Sequence, residues 1–260
     1  MPTISVDRDQ CRKDGLCAAV CPSRFLTTGA DGYPAEAEGP HCIDCGHCVA
    51  VCPHDALTHA DFPAASFEPV ATDLPTAAAL DGLLKSRRSV RLYKSHPLPK
   101  ATIEELLDLA RRAPTASNSQ TLHWIVVNDP AKVHALAAEI VEFFRLANPV
   151  SPMIEVWKKG YDWTLRGAPT VIVATSPAEY DWGPSDAAIA LTYLELAAEA
   201  RALGVCWAGY LTRIANLHAP LKKLLAVPEG RVVCGAVMLG ESRVKYRSIP
   251  PRKPLSVQWM

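Results

Sequence analysis

The sequence has no excess of charge of either sign, because Lys+Arg and Asp+Glu are both 27 among 260 residues. Nucleic acids and anionic membranes bind proteins through excess positive charge, so neither is expected as the main partner. No apolar run is long enough for a transmembrane helix, and the opening MPTISVDRDQ lacks the apolar segment of a signal peptide. We therefore expect a cytoplasmic protein.

Several common catalytic motifs are also missing. The sequence contains no G-x-G-x-x-G fingerprint, no P-loop, no HExxH and no recognisable Ser-His-Asp arrangement. A dedicated Rossmann nicotinamide domain is therefore excluded, although this does not exclude nicotinamide as a donor. These absences are typical of an enzyme whose cofactor carries the chemistry, while the protein supplies binding and electrostatics.

Cysteine is abundant but unevenly placed. Seven of the nine cysteines lie between Cys11 and Cys52, and the other two are Cys206 and Cys234 in apolar, strand-like runs. Disulfides and zinc are the alternatives for the crowded region. The C-x2-C spacing and the missing secretion signal favour metal binding in a reducing compartment. We expect Cys206 and Cys234 to be buried thiols.

Two tandem runs carry the metal-binding pattern. CIDCGHCVAVCP matches the bacterial iron–sulfur run C-x2-C-x2-C-x3-C-P, and CRKDGLCAAVCP matches it except for Asp14 at the second position. In two-cluster ferredoxins the fourth cysteine of each run binds the other cluster. This crossing predicts one cluster on Cys21, Cys42, Cys45 and Cys48, and another on Cys11, Asp14, Cys17 and Cys52.

Asp14 leaves three alternatives open. Its carboxylate ligates a distinct, labile iron of a 4Fe–4S cluster, or the corner is empty and the cluster is 3Fe–4S, or Asp14 only caps a turn with Gly15. Four histidines lie among or just after the ligands, and we expect them at the surface or behind the ligands rather than on iron: His41, His47, His54 and His59.

The chain divides into two domains. Residues 1–62 form a two-cluster ferredoxin domain that cannot build a core without metal, 63–78 a Pro/Ala-rich linker, and 79–260 a larger domain of helices and strands. Thr102 and Glu105 predict a capping box that starts a helix. A mostly apolar helix is predicted from Ser185 to Leu203, ending at Gly204, and VCWAGYL is predicted as a strand.

Two basic segments lie far apart in the larger domain. RRSVR is predicted to point alternate residues the same way on an extended backbone, which suits a phosphate. PPRKP supplies a second pair of cations near the end of the chain. The alternative for RRSVR is a solvated basic surface.

The order RRSVR, APTASNSQTLHW, a long apolar helix, VCWAGY and PPRKP resembles the nitroreductase family of flavoproteins, specifically members with an N-terminal two-cluster ferredoxin domain. The resemblance covers essentially the whole chain. It implies an α+β fold, in which a nitroreductase-like mixed sheet flanked by helices follows a small ferredoxin-like iron–sulfur domain. It also implies a homodimer with FMN at its interface.

The resemblance also implies which residues contact FMN. These are Arg87, Arg88, Ser89 and Arg91 at the start, Pro114, Thr115, Ala116, Asn118 and Gln120 in a loop, the backbone of Ala208 and Gly209, and Arg252 and Lys253 near the phosphate. No side chain is expected to be catalytic by itself. Thr121, Leu122, His123 and Trp124 replace the family's usual proline–tryptophan, and His123 is expected to be structural.

These features predict an FMN-dependent oxidoreductase coupled to iron–sulfur clusters. The acceptor is a nitroaromatic, a quinone or an activated unsaturated small molecule, and the donor is ferredoxin or NAD(P)H. The alternatives are a flavin dehydrogenase that passes electrons to ferredoxin, and a non-catalytic electron-transfer module. Residues 148–168, rich in aromatics, are predicted either as a lid over the flavin or as core and dimer contacts.

Overall fold

The computed structural model describes residues 3–260, which form two compact units. The first unit contains the residues up to Leu74 together with Ser117–Ser119, and the second contains Pro75–Ala116 and Gln120–Met260. None of the helices within residues 3–260 has the length and apolar character needed to cross a membrane.

The first unit contains two short antiparallel strand pairings, two single-turn helices and a short 3-10 helix at Ala64–Ser66. Strand β1 (Ile4–Val6) pairs antiparallel with β4 (Leu57–His59), and β2 (Leu26–Thr28) with β3 (Pro34–Glu36). Helices α1 (Leu16–Ala19) and α2 (His47–Ala50) follow the two cysteine loops. The apolar core is small, with Ile4, Phe25, Leu26 and Leu57 packed against cysteines. Such a core depends on cross-links for its stability.

The second unit begins with two helices, α3 (Ala77–Ser86) and α4 (Lys100–Ala110). The other elements are β5 (His123–Val127), α5 (Pro130–Ala147), α6 (Pro152–Lys158), β6 (Thr170–Pro177), α7 (Gly183–Glu199), β7 (Leu203–Trp207), α8 (Gly209–Ala215), α9 (Ala219–Leu224) and β8 (Arg231–Glu241).

The four strands β5–β8 form one sheet in the order β5-β6-β8-β7, and all of these pairings are antiparallel. A parallel bridge from Ser89 to Val205 adds the RRSVR segment beside β7, so the sheet is mixed at this edge. The α+β fold class is confirmed.

Both faces of this sheet are buried. In β6, Val171 and Val173 pack into one core with residues of α5, α8 and α9, while Ile172 and Ala174 pack into the other core with residues of α4 and α7. A strand that is buried on both faces is apolar throughout, which explains the uninterrupted run PTVIVAT.

Three predictions of local structure are wrong. No capping box forms, because α4 begins at Lys100 after Pro99, and Thr102 and Glu105 lie inside the helix. Helix α7 ends at Glu199 instead of Leu203, and Ala202 takes a left-handed turn (φ 58°) before the predicted end at Gly204. The run VCWAGYL is divided, because β7 ends at Trp207 and Gly209 begins α8.

Candidate functional site

The two cysteine loops of the first unit have the same backbone shape. Gly15 (φ 74°) precedes α1 and Gly46 (φ 70°) precedes α2, and the residues two positions earlier, Lys13 and Asp44, are also left-handed. The loops are therefore structural repeats of each other. In this repeat Asp14 occupies the position of Cys45, since each lies directly before the glycine.

The structure gathers the predicted iron ligands around two cavities. Cys21, Cys42, Cys45 and Cys48 line one cavity of about 340 Å³. The other, of about 380 Å³, is lined by Cys11, Asp14, Cys17 and Cys52. Each cavity thus receives three donor side chains from one loop and the fourth from the other.

The chemistry of these thiols suits an iron–sulfur cluster. The backbone N–H of Leu26 donates to Cys21 Sγ at 3.3 Å, and that of Asp44 donates to Cys42 Sγ at 3.4 Å. Burial raises the pKa of the Cys48 thiol to about 11 and also raises the pKa of Cys17. A bound metal supplies the positive charge that converts such thiols to thiolate ligands. The residues present therefore fit the two clusters.

Asp14 uses one carboxylate oxygen locally. Its Oδ1 accepts the backbone N–H of Leu16 at 3.1 Å, as a turn cap does. Its Oδ2 is 3.9 Å from Nε2 of His54, and the side chain lines the same cavity as three cysteines. Turn capping thus occupies one oxygen and leaves the second at the cavity, so capping and ligation are compatible.

The four histidines differ in burial. His41, His47 and His54 are exposed. The side chain of His59 is completely buried, with Nε2 3.7 Å from Cys42 Sγ. His59 therefore lies directly behind a predicted cluster ligand.

In the second unit, the residues of RRSVR have different surroundings. Arg87 Nη1 donates to the buried Glu195 Oε1 at 2.8 Å. Arg88 donates to the carbonyl oxygens of Arg87 and Lys85, both at 2.6 Å, and its buried Nε has no hydrogen-bond partner in the described chain. Arg88 and Arg91 line separate cavities. This is expected, because residues three positions apart on an extended backbone point to opposite sides.

Arg91 faces an open cavity of about 730 Å³. The cavity is also lined by Gly209, two further arginines and three aromatic side chains, namely Arg166, Arg213, Trp163, Trp207 and Tyr210. Gly209 is the first residue of α8, so its N–H has no acceptor within the helix. The N–H of Ala208 donates to the Ala236 carbonyl at 2.8 Å and is not available to a ligand. Of the predicted pair of backbone donors, Gly209 is the one left open.

The APTASNSQ loop lies at a different cavity of the second unit, of about 670 Å³. Thr115 and Gln120 line this cavity with Leu122 and Trp124, and it shares no lining residue with the Arg91 cavity. Ser117, Asn118 and Gln120 are left-handed (φ 51°, 53° and 48°), which non-glycine residues adopt only where the surroundings enforce it. The loop is therefore built to a fixed shape.

Hydrogen bonds within each unit fix that shape. The buried carboxylate of Asp186 accepts the Ala116 N–H at 3.0 Å and the Tyr180 hydroxyl at 2.7 Å. Thr115 Oγ1 accepts the Gln120 N–H at 3.1 Å, while Pro114 precedes the turn. Within the first unit, the Asn118 amide donates to the carbonyl oxygens of Ile43 and Asp44 at 3.0 and 2.9 Å.

The remaining predicted residues lie elsewhere. Arg252 and Lys253 are exposed in an extended tail and line neither cavity. Residues 148–168 are divided: Met153 is buried and Trp157 packs on the core, stacked on His134 at 4.9 Å, while Trp163 lines the Arg91 cavity. Met153 and Trp157 therefore belong to the core, and Trp163 belongs to the wall of the cavity.

Comparison with known proteins decides the family. A model described as "Nitroreductase family" matches residues 84–241, and one described as "4Fe-4S dicluster domain" matches residues 3–53. The chain belongs to the nitroreductase family. This nitroreductase-family protein is an enzyme of the flavin oxidoreductase type, and it carries a dicluster ferredoxin domain in the same chain.

Individual relatives resemble one or the other part. A putative NADH dehydrogenase/NAD(P)H nitroreductase of Archaeoglobus fulgidus is 31% identical over 158 residues, which cover 61% of this chain and 82% of the relative. A ferredoxin of Hydrogenibacillus schlegelii, described as 7Fe, is 46% identical over 50 residues, 19% of this chain and 62% of the ferredoxin. An FMN-bound nitroreductase of Desulfitobacterium hafniense shares the fold, with a TM-score of 0.59, 22% identity and coverage of 69% and 96%.

Sequence reasoning missed several residues of the nitroreductase-family unit. Asp186 and Glu195 are buried acids on the apolar helix α7, and charge on such a helix was the available signal. Arg166 and Arg213 line the Arg91 cavity but belong to no motif. Tertiary packing alone brings them there.

Proposed function

We propose that this protein is an FMN-dependent oxidoreductase coupled to two iron–sulfur clusters. It reduces a nitroaromatic, a quinone or an activated unsaturated small molecule with electrons from ferredoxin or NAD(P)H. The observation that carries the proposal is that one chain joins a nitroreductase-family unit to a unit with two four-donor cavities. Bound FMN supplies two-electron chemistry, and iron–sulfur clusters supply one-electron transfer.

The proposed FMN site combines residues from two subunits. Arg91 and Gly209 line one cavity and Thr115 and Gln120 another, so a single chain keeps the two sets apart. This separation supports a homodimer in which each subunit contributes one set. Helix α7 also presents Ile189 and Tyr193 on an exposed face, as an unpartnered dimer surface would.

In this proposal the chain's own residues bind and orient the cofactor. The phosphate of FMN is held by Arg87 and Ser89 together with Arg252 and Lys253. The tail that carries Arg252 and Lys253 belongs either to the same subunit or to the partner. Arg91 and the Gly209 N–H lie where negative charge develops on the flavin, and fixed donors there stabilise that charge. The Asp186-held loop keeps Thr115, Ala116 and Gln120 in one shape against the ring system.

The cluster assignment follows the two cavities. One 4Fe–4S cluster is held by Cys21, Cys42, Cys45 and Cys48. The other is held by Cys11, Cys17 and Cys52 with Asp14 at a labile fourth corner, which is also the corner that a 3Fe–4S form lacks. The resemblance of this region to a ferredoxin described as 7Fe supports an unusual second cluster. Clustered thiols of this kind support a reducing compartment such as the cytoplasm.

Anaerobic purification and acceptor screening test the proposal. The purified protein is expected to contain FMN, iron and sulfide, and to reduce at least one nitroaromatic, quinone or activated alkene with reduced ferredoxin, NADH or NADPH. Cofactor-loaded protein that turns over none of these acceptors with any of the donors would contradict it. That result would favour an electron-transfer module.

A flavin dehydrogenase is the second candidate, because the Archaeoglobus relative is described as a putative NADH dehydrogenase as well as a nitroreductase. Such an enzyme oxidises a metabolite and passes the electrons to ferredoxin. Measured potentials separate the two directions. Cluster potentials well above that of the flavin favour outward flow, and the reverse order favours the reductase.

A further inference from the structure

The Arg91 cavity is strongly cationic and has no counter-charge of its own. Arg91, Arg166 and Arg213 line it, and none of its lining residues is acidic. Arg91 donates to the Ser89 carbonyl at 3.2 Å. Within residues 3–260, the guanidinium groups of Arg166 and Arg213 have neither a hydrogen bond nor an ion pair. Three arginines that line one cavity without a carboxylate among the lining residues indicate a site for an anion.

Arg166 is held in place by a dedicated loop. The carboxylate of Asp162 accepts the N–H groups of Thr164, Leu165 and Gly167 at 2.8, 2.9 and 3.0 Å. Between them Arg166 is left-handed, with φ 58°. Strained non-glycine positions of this kind concentrate at functional sites. The loop therefore fixes the backbone at Arg166, whose half-buried side chain lines the cavity.

The walls of the cavity also suit a planar ligand. Trp163, Trp207 and Tyr210 are all partly exposed there. We propose that Arg166 and Arg213 form an anion subsite that selects an aromatic acceptor bearing a carboxylate. The inference rests on the proposed function, and it deepens that function by naming a substrate class.

Ligand binding to the oxidised FMN-loaded dimer tests this subsite without turnover. Isothermal titration would compare benzoate with benzamide, its neutral counterpart, on the wild type and on Arg166→Gln and Arg213→Gln. We expect benzoate affinity to fall at least about tenfold in each variant and benzamide affinity to stay constant. Arg145→Gln, on the outer face of α5 beside Glu142, is the matched control and should change neither.

Turnover then separates this subsite from the general activity. 3-Nitrobenzoate should lose kcat/KM relative to nitrobenzene in the two variants. Equal losses for both acceptors, or unchanged benzoate affinity, would overturn the subsite. Absence of turnover in the wild type with both acceptors, and also with quinones and activated alkenes, would instead contradict the proposed function. If the two variants retain FMN more weakly, or lose kcat/KM with NADPH but not with NADH, the arginines bind a phosphate group. Either result would also overturn the proposed subsite.

A second, independent inference concerns His59 in the first unit. Nδ1 of this buried ring accepts the Asp61 N–H at 3.1 Å, so Nδ1 carries no proton and the neutral ring carries its proton on Nε2. Nε2 is 3.7 Å from Cys42 Sγ and 3.3 Å from Asp44 Oδ1. Stacking on Phe62 at 4.5 Å holds the ring in this orientation.

We infer that His59 donates an N–H···S hydrogen bond to Cys42 and thereby raises the reduction potential of the cluster on that ligand. Hydrogen bonds to cluster sulfurs stabilise the more negative, reduced state. The partner behind the ligand therefore tunes the cluster, as is general for metal sites. His59 touches no iron and acts as a positioning residue through Cys42.

A redox titration followed by EPR tests this role, with the second cluster of each molecule as an internal reference. We expect His59→Phe, which keeps a ring beside Phe62, to lower the potential of the Cys42 cluster and leave the other unchanged. His59→Gln, which restores a donor, should recover part of the shift. The exposed His41→Phe is the matched control and should shift neither.

An unchanged Cys42-cluster potential in His59→Phe, or an equal shift in His41→Phe, would overturn the inference. Wild-type protein with ¹⁵N-labelled histidine provides a test that does not depend on how a variant folds. Electron–nuclear double resonance on the reduced cluster should detect one coupled histidine nitrogen. Absence of this coupling would equally overturn the hydrogen bond.

Discussion

At the scale of single residues, Asp14 is the side chain that distinguishes the two cysteine loops. It stands where Cys45 stands in the repeated loop, before a left-handed glycine of nearly the same φ. The backbone therefore already has the shape that a cysteine ligand needs at this position.

We predict that Asp14→Cys keeps a full 4Fe–4S cube through oxidation, because thiolate holds iron more firmly than a carboxylate oxygen does. Wild-type protein and Asp14→Ala should both lose one iron on oxidation and show the EPR signal of a 3Fe–4S cluster. An oxidised EPR spectrum of Asp14→Cys that matches wild type would refute the claim that Asp14 stands at a labile fourth iron.

Asp186 gives a second prediction at this scale. Its buried carboxylate accepts the Ala116 N–H and the Tyr180 hydroxyl, so Asp186→Ala removes both contacts and relaxes the loop. We expect the dissociation constant for FMN, measured by flavin fluorescence, to rise at least about tenfold. Glu155→Ala, at an exposed acid paired with Lys158 away from both cavities, should leave it unchanged. Unaltered FMN affinity in Asp186→Ala would show that this carboxylate does not set the loop.

At the scale of elements, close packing of RRSVR against β7 depends on Gly204. A Cβ at this position would meet Val90 side-chain carbons at 2.7 Å. The same contact aligns the segment through the Val90 N–H, which donates to the Val205 carbonyl at 2.9 Å. The position of Arg91 at its cavity therefore depends on the absence of a side chain at Gly204.

We predict that Gly204→Ala lowers the free energy of unfolding by about 1–3 kcal/mol, because the added methyl group forces the two segments apart. Gly82→Ala is the matched control, since Gly82 lies in α3 with open space around it and alanine favours helix by up to about 1 kcal/mol. Urea unfolding measures both. Equal effects of the two substitutions would contradict the packing argument.

Element boundaries also show how far sequence reasoning reached. Strands β5 and β6 and helix α5 coincide with the mainly apolar segments HWIVV, PTVIVAT and AKVHALAAEIVEFFRLA, which can be predicted from the sequence because burial decides their composition. The end of α7 was predicted wrongly, because Gly204 resembles a helix stop. The glycine is needed instead because the side chain of Val90 packs where a Cβ would lie. Similarly, spacing alone selected the predicted iron ligands that line the two cavities, whereas Asp186 acts through a contact with Ala116, 70 positions earlier, that no local pattern records.

At the scale of the whole molecule, the central claim is that the ferredoxin domain and the nitroreductase-family unit work as one enzyme. Cys48→Ser removes a ligand of the proposed 4Fe–4S cluster without altering a residue of the second unit. The variant should keep FMN, as judged by flavin absorbance, because no predicted flavin contact is changed.

Anaerobic stopped-flow mixing with reduced ferredoxin is the most direct test. Flavin absorbance would be followed in wild type and Cys48→Ser, with NADH and NADPH in parallel runs. We predict rapid bleaching of the wild-type flavin by reduced ferredoxin and none in the variant. Equally rapid bleaching in Cys48→Ser, or none in wild type while NAD(P)H bleaches both, would contradict a ferredoxin-fed reductase whose clusters bring electrons to the flavin.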